Sequence, residues 1–287
     1  MALTQVPNEL LEIGVKAFGT SSFMIGDTTT GTIDAANNNT GVGVDVFAAL
    51  TSGDDNTAIG KSAMTANTTG GSNVAVGSIA LDANTTGNSN VAVGKGALST
   101  NSTGGGNVAV GPNALNAATT ADSNTAIGNG ALESNTTGYR NTAVGAQALD
   151  AITTGIQNTA VGQGAGGAAT TAVNLSAFGH GAGASVTTGT DNCAFGNEAL
   201  ALLTTGARNI AIGKESQLRA TTAIENTAVG NVALVDVTTG SHNIGIGHAA
   251  LYELTTASYN TAVGTNSIQN STTGHSNVAV GYTALDA

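Results

Sequence analysis

The chain contains no tryptophan, four tyrosines and five phenylalanines in 287 residues. So few rings exclude an ordinary thick core built on large aromatic side chains. They also leave little from which to build the aromatic platforms of a sugar-cleaving cleft. Lys and Arg together number only seven, and the formal net charge is −11. That balance argues against nucleic acid and against anionic membrane surfaces as partners. The single cysteine, Cys193, rules out a disulfide framework and reads as a small buried hydrophobe. No run of about 20 apolar residues is present to insert in a membrane. The first eight residues, Met1 to Asn8, lack the basic start and long apolar stretch of a signal peptide.

Glycine is abundant, and its placement is periodic. Sixteen glycines recur at intervals of seventeen, from Gly26 through Gly43 and Gly60 to Gly281. A fixed period of this length is the signature of a solenoid. Collagen is excluded because glycine does not recur every third residue. The glycine content also argues against helix, at about 1 kcal/mol per residue relative to alanine. Residues 56–287 hold fourteen regular copies of N-[TV]-A-[VI]-G-x-x-A-L-x-x-x-T-T-G-x-x, and residues 22–55 hold two degenerate ones. Residues 1–21 lie outside the repeat and read as a capping or attachment segment. The last coil stops at Ala287, so a partner or further sequence is expected to cover that end. The expected fold is all-β: a parallel β-solenoid (β-roll) of about sixteen 17-residue coils.

Numbering each copy from its Asn, positions two to five alternate as a strand does. Positions two and four carry β-branched or bulky residues, such as Val74 and Val76. Position three is Ala in thirteen of fourteen copies, with Gly245 the exception. Bulky residues are the usual filling of a coil interior. On that reading, the bare Ala face points outward and lets other copies approach closely, which favours a trimer. That positions two and four instead line a trimer axis stays open. The Ala-Leu pair at positions eight and nine predicts a second short strand. The glycine of Thr-Thr-Gly predicts a corner at positive φ. Position one predicts a column of Asn amides bonded up and down the stack. The Thr-Thr ladder predicts hydroxyls that satisfy corner backbone groups. Between Gly162 and Gly196, Gly166 and Gly183 replace Leu, Leu175 replaces Asn, and Phe178 and Phe195 replace Val. This predicts a core repacked with Phe volume in place of Leu.

No chemistry-bearing motif survives its context. Gly162-Gln163-Gly164-Ala165-Gly166-Gly167 has the spacing of a dinucleotide loop but sits in repeat phase with no helix after it. Gly60-Lys61-Ser62 lacks the upstream glycine of a P-loop. The sequons at Asn67, Asn84 and Asn135 are corner residues. His180 and His248 share a repeat position four coils apart, too far to share a metal. The acidic residues form no recurring pair. The expectation is therefore a non-enzyme with no cofactor and no metal. The candidate surface contacts are Tyr139, Arg140, Tyr252, Tyr259 and Tyr282, at variable or corner positions where tyrosine and arginine favour recognition.

The runs Asn73-Val74-Ala75-Val76-Gly77 and Asn141-Thr142-Ala143-Val144-Gly145, each followed two residues later by Ala, resemble the repeats of YadA-like heads of trimeric autotransporter adhesins. They also resemble repeats of bacteriophage tail fibre proteins. The resemblance covers residues 39–287 and implies a left-handed, homotrimeric β-roll. The adhesin repeat is shorter, and no export signal, stalk or anchor segment is found in this sequence. The resemblance therefore implies a virion fibre shaft assembled in a host cytoplasm. It would be anchored through its N-terminal segment to a baseplate, tail or collar protein, and would present a surface to a host glycan or protein. The alternatives are a bacterial trimeric adhesin head on the cell surface and an ice-binding β-solenoid.

Overall fold

The computed structural model describes residues 15–18, 21–26 and 35–285. Of residues 1–21, where a capping or attachment segment is expected, 1–14, 19 and 20 lie outside the described residues. The chain is a parallel β-solenoid with one short strand per coil, and no helix occurs among the described residues. Two compact units divide it, residues 1–129 and 130–287. The first contains β1 (Val15–Phe18), β2 (Ser22–Gly26), β3 (Thr40–Gly43), β4 (Thr57–Ile59), β5 (Val74–Val76), β6 (Val91–Val93), β7 (Val108–Val110) and β8 (Thr125–Ile127). The second contains β9 (Thr142–Val144), β10 (Thr159–Val161), β11 (Ser176–Phe178), β12 (Cys193–Phe195), β13 (Ile210–Ile212), β14 (Thr227–Val229), β15 (Ile244–Ile246), β16 (Thr261–Val263) and β17 (Val278–Val280). Within each unit successive coils pair in parallel at a register of seventeen, so Val74 meets Val91 and Thr159 meets Ser176. The exception is β1, which pairs antiparallel with β2 and occupies the edge that β2 turns away from β3.

The two strand faces are the reverse of the expectation. Position three lies inside: Ala58, Ala75, Ala143 and Ala211 are fully buried. Positions two and four point outward, with Ile59, Ile127, Ile212 and Ile246 each about 40% exposed. The reason is the opposite wall. Ala at position eight and Leu at position nine are also fully buried, for example Ala97 with Leu98 and Ala131 with Leu132. Leu reaches across from that wall and fills the coil, so the strand contributes only a methyl group. Two positions show how narrow the interior is. A Cβ on Gly245 would lie 3.3 Å from Leu234 Cγ. At Gly41 it would lie 3.0 Å from Val46 Cγ1 and 3.1 Å from Phe47, which in this coil replace the usual Ala and Leu. The larger wall there is matched by a smaller strand residue, as close packing requires.

The Ala-Leu segment is not a strand. It is a turn whose seventh and ninth residues are left-handed, for instance Ile79 (φ 53°) and Leu81 (φ 52°). Left-handed leucine costs about 1–2 kcal/mol. The cost is offset because the conformation alternates the backbone donors between neighbours: Ile79 N–H bonds Lys61 O on one side and Leu81 N–H bonds Ala97 O on the other. The corner glycine of Thr-Thr-Gly does not have positive φ either. A Cβ on Gly70 would meet the carbonyl oxygen of Gly87 in the next coil, so glycine is needed there for close approach. The glycine at position five needs both properties. Gly145 has φ 137°, and a Cβ on it would lie 2.6 Å from the carbonyl C and O of Gly162.

The Asn column forms as expected. Asn209 N–H donates to Asn192 Oδ1 (3.0 Å), and its own Nδ2 donates to Ala223 O (2.8 Å). Asn226 N–H then donates to Asn209 Oδ1 (3.1 Å). A second, shorter amide ladder runs through Asn67, Asn84 and Asn101. The first Thr of the corner pair caps the next coil through most of the stack, as Thr68 Oγ1 does by donating to Thr85 O (2.9 Å).

The departure from the repeat around Gly166 and Gly183 is compensated by Leu175, not by phenylalanine. Phe178 and Phe195 occupy the outward face and stack on each other, with centroids 4.4 Å apart. Leu175 is fully buried in place of Asn and enters the room left by the missing leucines. A Cβ on Gly183 would lie 3.6 Å from Leu175 Cδ1, and one on Gly166 3.2 Å from Leu175 Cδ2 and 2.7 Å from Leu149 Cδ2, so Leu149 leans into that room as well. Leu175→Asn is therefore expected to lose about 2–4 kcal/mol by opening a cavity, even though it restores the consensus. The triple variant Leu175→Asn, Gly166→Leu, Gly183→Leu should recover most of that loss, because both glycines already have the φ of about 60° that the ninth residue adopts elsewhere. Urea titration of the three chains checks this.

Candidate functional surface

Two exposed features emerge from this coil. The first is the outward strand face. Positions two and four of β4 to β8 carry only Thr, Val and Ile. In β9 to β17 they carry Thr, Val, Ile, Ser176, Cys193, Phe178 and Phe195. No charged residue stands at either position, although the chain has 25 Asp, Glu, Lys and Arg in all. In the regular coils the charges fall on the turns instead: positions six and seven (Lys95, Glu198), ten and eleven (Asp82, Arg219), and sixteen and seventeen (Asp122, Arg208). Cys193 lies on this outward face, half-buried, rather than in the interior, and its partial burial pushes the thiol pKa up. Asp82 and Asp150 also have raised pKa values through partial burial against the turn.

The second feature is the ridge formed by position seventeen in the second unit. Here four successive coils present Arg208, Glu225, His242 and Tyr259. Arg208 Nε donates to Glu225 Oε1 at 2.7 Å, and His242 Nδ1 lies 3.0 Å from Glu225 Oε2. The rings of His242 and Tyr259 are parallel within 3°, with centroids 4.9 Å apart. Hydrogen bonding from Arg208 is the main reason that Glu225 titrates below the usual carboxylate range, with His242 adding to it. Whatever this pair contributes to stability is present at neutral pH and fades as the pH falls through that lowered value. All four groups are at the surface, so salt also weakens it.

The five expected contact residues do not form one site. Tyr139, Arg140 and Tyr259 belong to positions sixteen and seventeen, Tyr252 to position ten and Tyr282 to position six. The Arg140 guanidinium lies 5.6 Å from the Tyr139 ring centroid. Tyr259 and Tyr282 are 62% and 76% exposed, while Tyr252 is half-buried. The outward face was missed by sequence reasoning, since a charge-free column fits an interior equally well. The ridge was legible only as the spacing of seventeen that links Arg208, Glu225, His242 and Tyr259. No group of three or more potential metal ligands occurs among the described residues, and no described helix is long and apolar enough to cross a membrane. Compared with protein-family models, curated proteins and solved structures, the chain finds no match.

Proposed function

We propose that this chain is a structural protein, the shaft of a virion fibre such as a phage tail fibre, in which three copies pack through their outward strand faces. One observation carries the reading. In each unit a column of mostly β-branched residues, repeated coil after coil, faces outward with no charge on it. Contiguous exposed apolar surface of this kind marks an association site. Its use by identical coils needs only that each residue meet its own copy around an axis, and regular spacing satisfies that automatically. The number three comes from the resemblance of the N-T-A-V-G-x-x-A repeats to trimeric fibre and adhesin heads. The bare alanine face, at first the reason to expect a trimer, is interior and plays no part. In this reading the N-terminal segment anchors the shaft to a baseplate, tail or collar protein, and the charged turns face a host surface.

Light scattering on the purified chain tests the assembly. A mass three times the 27.7 kDa of one chain is expected. The mass of a single chain would overturn the trimer. It would leave the outward Thr and Val face available to ice, the reading then favoured, and shaping of ice crystals would be its readout. Immunogold labelling of virions separates a fibre from a bacterial surface adhesin.

A further inference from the structure

The ridge at position seventeen stops one residue short of where its geometry allows it to continue. Tyr259 stacks one face of its ring on His242, yet the residue remains 62% exposed. The next residue in the column is Ser276, which is exposed and too small to cover the other face. Its backbone matches those below it: φ is 59° at His242, 64° at Tyr259 and 58° at Ser276. Their amides also follow one pattern, with Tyr259 N–H bonding Ser241 O and Ser276 N–H bonding Ser258 O, both at 3.2 Å. A side chain at 276 would therefore project parallel to Tyr259, one coil away, about 4.8 Å. Serine leaves that place open.

We propose that this slot binds a neutral pyranose, whose ring takes the place of the missing side chain. A pyranose presents a face of C–H groups, which complements the negative face of a tyrosine ring. The platform is supported from one side: Arg208 pairs with Glu225, Glu225 with His242, and the His242 ring stacks on Tyr259, which lowers the ordering cost of binding. A donor for sugar hydroxyls stands beside the slot. His275 Nδ1 accepts from Ser258 N–H at 3.0 Å. That places the proton of the neutral ring on Nε2. The ligand is neutral because the guanidiniums of the neighbouring coils, Arg208 and Arg219, are already paired with Glu225 and Asp236, and the chain as a whole carries −11. The inference deepens the fibre reading, on whose expected host glycan or protein it rests, and because the slot is complete within one copy, a single chain that binds sugar would overturn the trimer and leave the slot standing.

Saturation-transfer NMR on the intact protein tests it, with methyl glycosides of glucose, galactose and N-acetylglucosamine as probes. At least one is expected to bind with a dissociation constant on the order of 1 mM, as suits a single stacked ring. Transfer should be strongest at the C–H protons of one sugar face. Tyr259→Ala should lose the signal at least tenfold. Ser276→Leu should lose it equally by plugging the slot with a side chain that offers no aromatic face, and it is compatible with folding because leucine already adopts this φ elsewhere in the chain, as at Leu251 (φ 56°). Tyr139→Ala should retain it. Absence of transfer with all three sugars overturns the proposal, as does binding that survives Ser276→Leu, or binding of tetramethylammonium in preference to the sugars.

Discussion

Gly145→Ala is expected to destabilise the solenoid by several kcal/mol, a large effect for the addition of one methyl group. Two costs combine. The backbone there has φ 137°, a region nearly closed to residues with a Cβ, at about 1–3 kcal/mol. The new Cβ would also lie 2.6 Å from the carbonyl of Gly162, so the coils must part, at about 1–3 kcal/mol more. Gly189→Ala provides the contrast. Its Cβ would meet the Gly206 carbonyl oxygen, but its φ is ordinary. The same repeat position holds Ala121, Ala172, Ala223 and Ala257, whereas position five holds glycine in every coil. Gly189→Ala should therefore cost only the packing part. Because a solenoid contacts only its neighbours, the damage should be local. Hydrogen exchange would show amides near residues 128–179 losing protection while those near 260 keep it. Equal losses for the two variants would mean that the backbone conformation contributes nothing.

What the sequence disclosed of this fold follows from the period. A residue that recurs every seventeen positions must stack on itself, so the Asn column and the Thr caps could be deduced from residue type alone: an amide both donates and accepts, and a hydroxyl donates. The faces could not be deduced in the same way. Alternation at positions two to five separates Val76 from Ala75 but does not say which is inside. That depends on how much of the interior Leu81 and Leu98 already fill from the opposite wall, which in turn depends on the left-handed turn that carries them. Nothing about leucine favours that turn, because it is imposed by backbone hydrogen bonds to both neighbouring coils. The expectation for Phe178 and Phe195 fails for the same reason. With position four taken as interior, their bulk reads as core volume, and Leu175 reads as a lost amide. The ridge was hidden for a simpler reason: Glu225, His242 and Tyr259 are far apart in sequence and adjacent only when the chain is wound at seventeen.

Replacing two outward residues, Ile212→Glu together with Ile246→Glu, is expected to reduce the proposed trimer to the 27.7 kDa of one chain, while leaving the coil intact. Both side chains are about 40% exposed in the single copy. There the change places a carboxylate in water and should alter stability by no more than about 0.5 kcal/mol each, the usual range for surface positions. In an assembly built on this face, the same carboxylates are buried beside their symmetry mates. Each unpaired buried charge then costs several kcal/mol, and like charges add repulsion. With two sites in each of three copies, the total exceeds what any interface of ordinary affinity supplies. The matched control is Lys95→Gln with Lys214→Gln at position six, on the turns, which shifts net charge by the same amount but leaves the face untouched. If the face variant and the control both keep the trimer mass, the copies meet elsewhere and the charge-free column needs another occupant. If only the face variant falls to the mass of one chain, with its circular dichroism unchanged, the outward isoleucines and valines are the joint between copies.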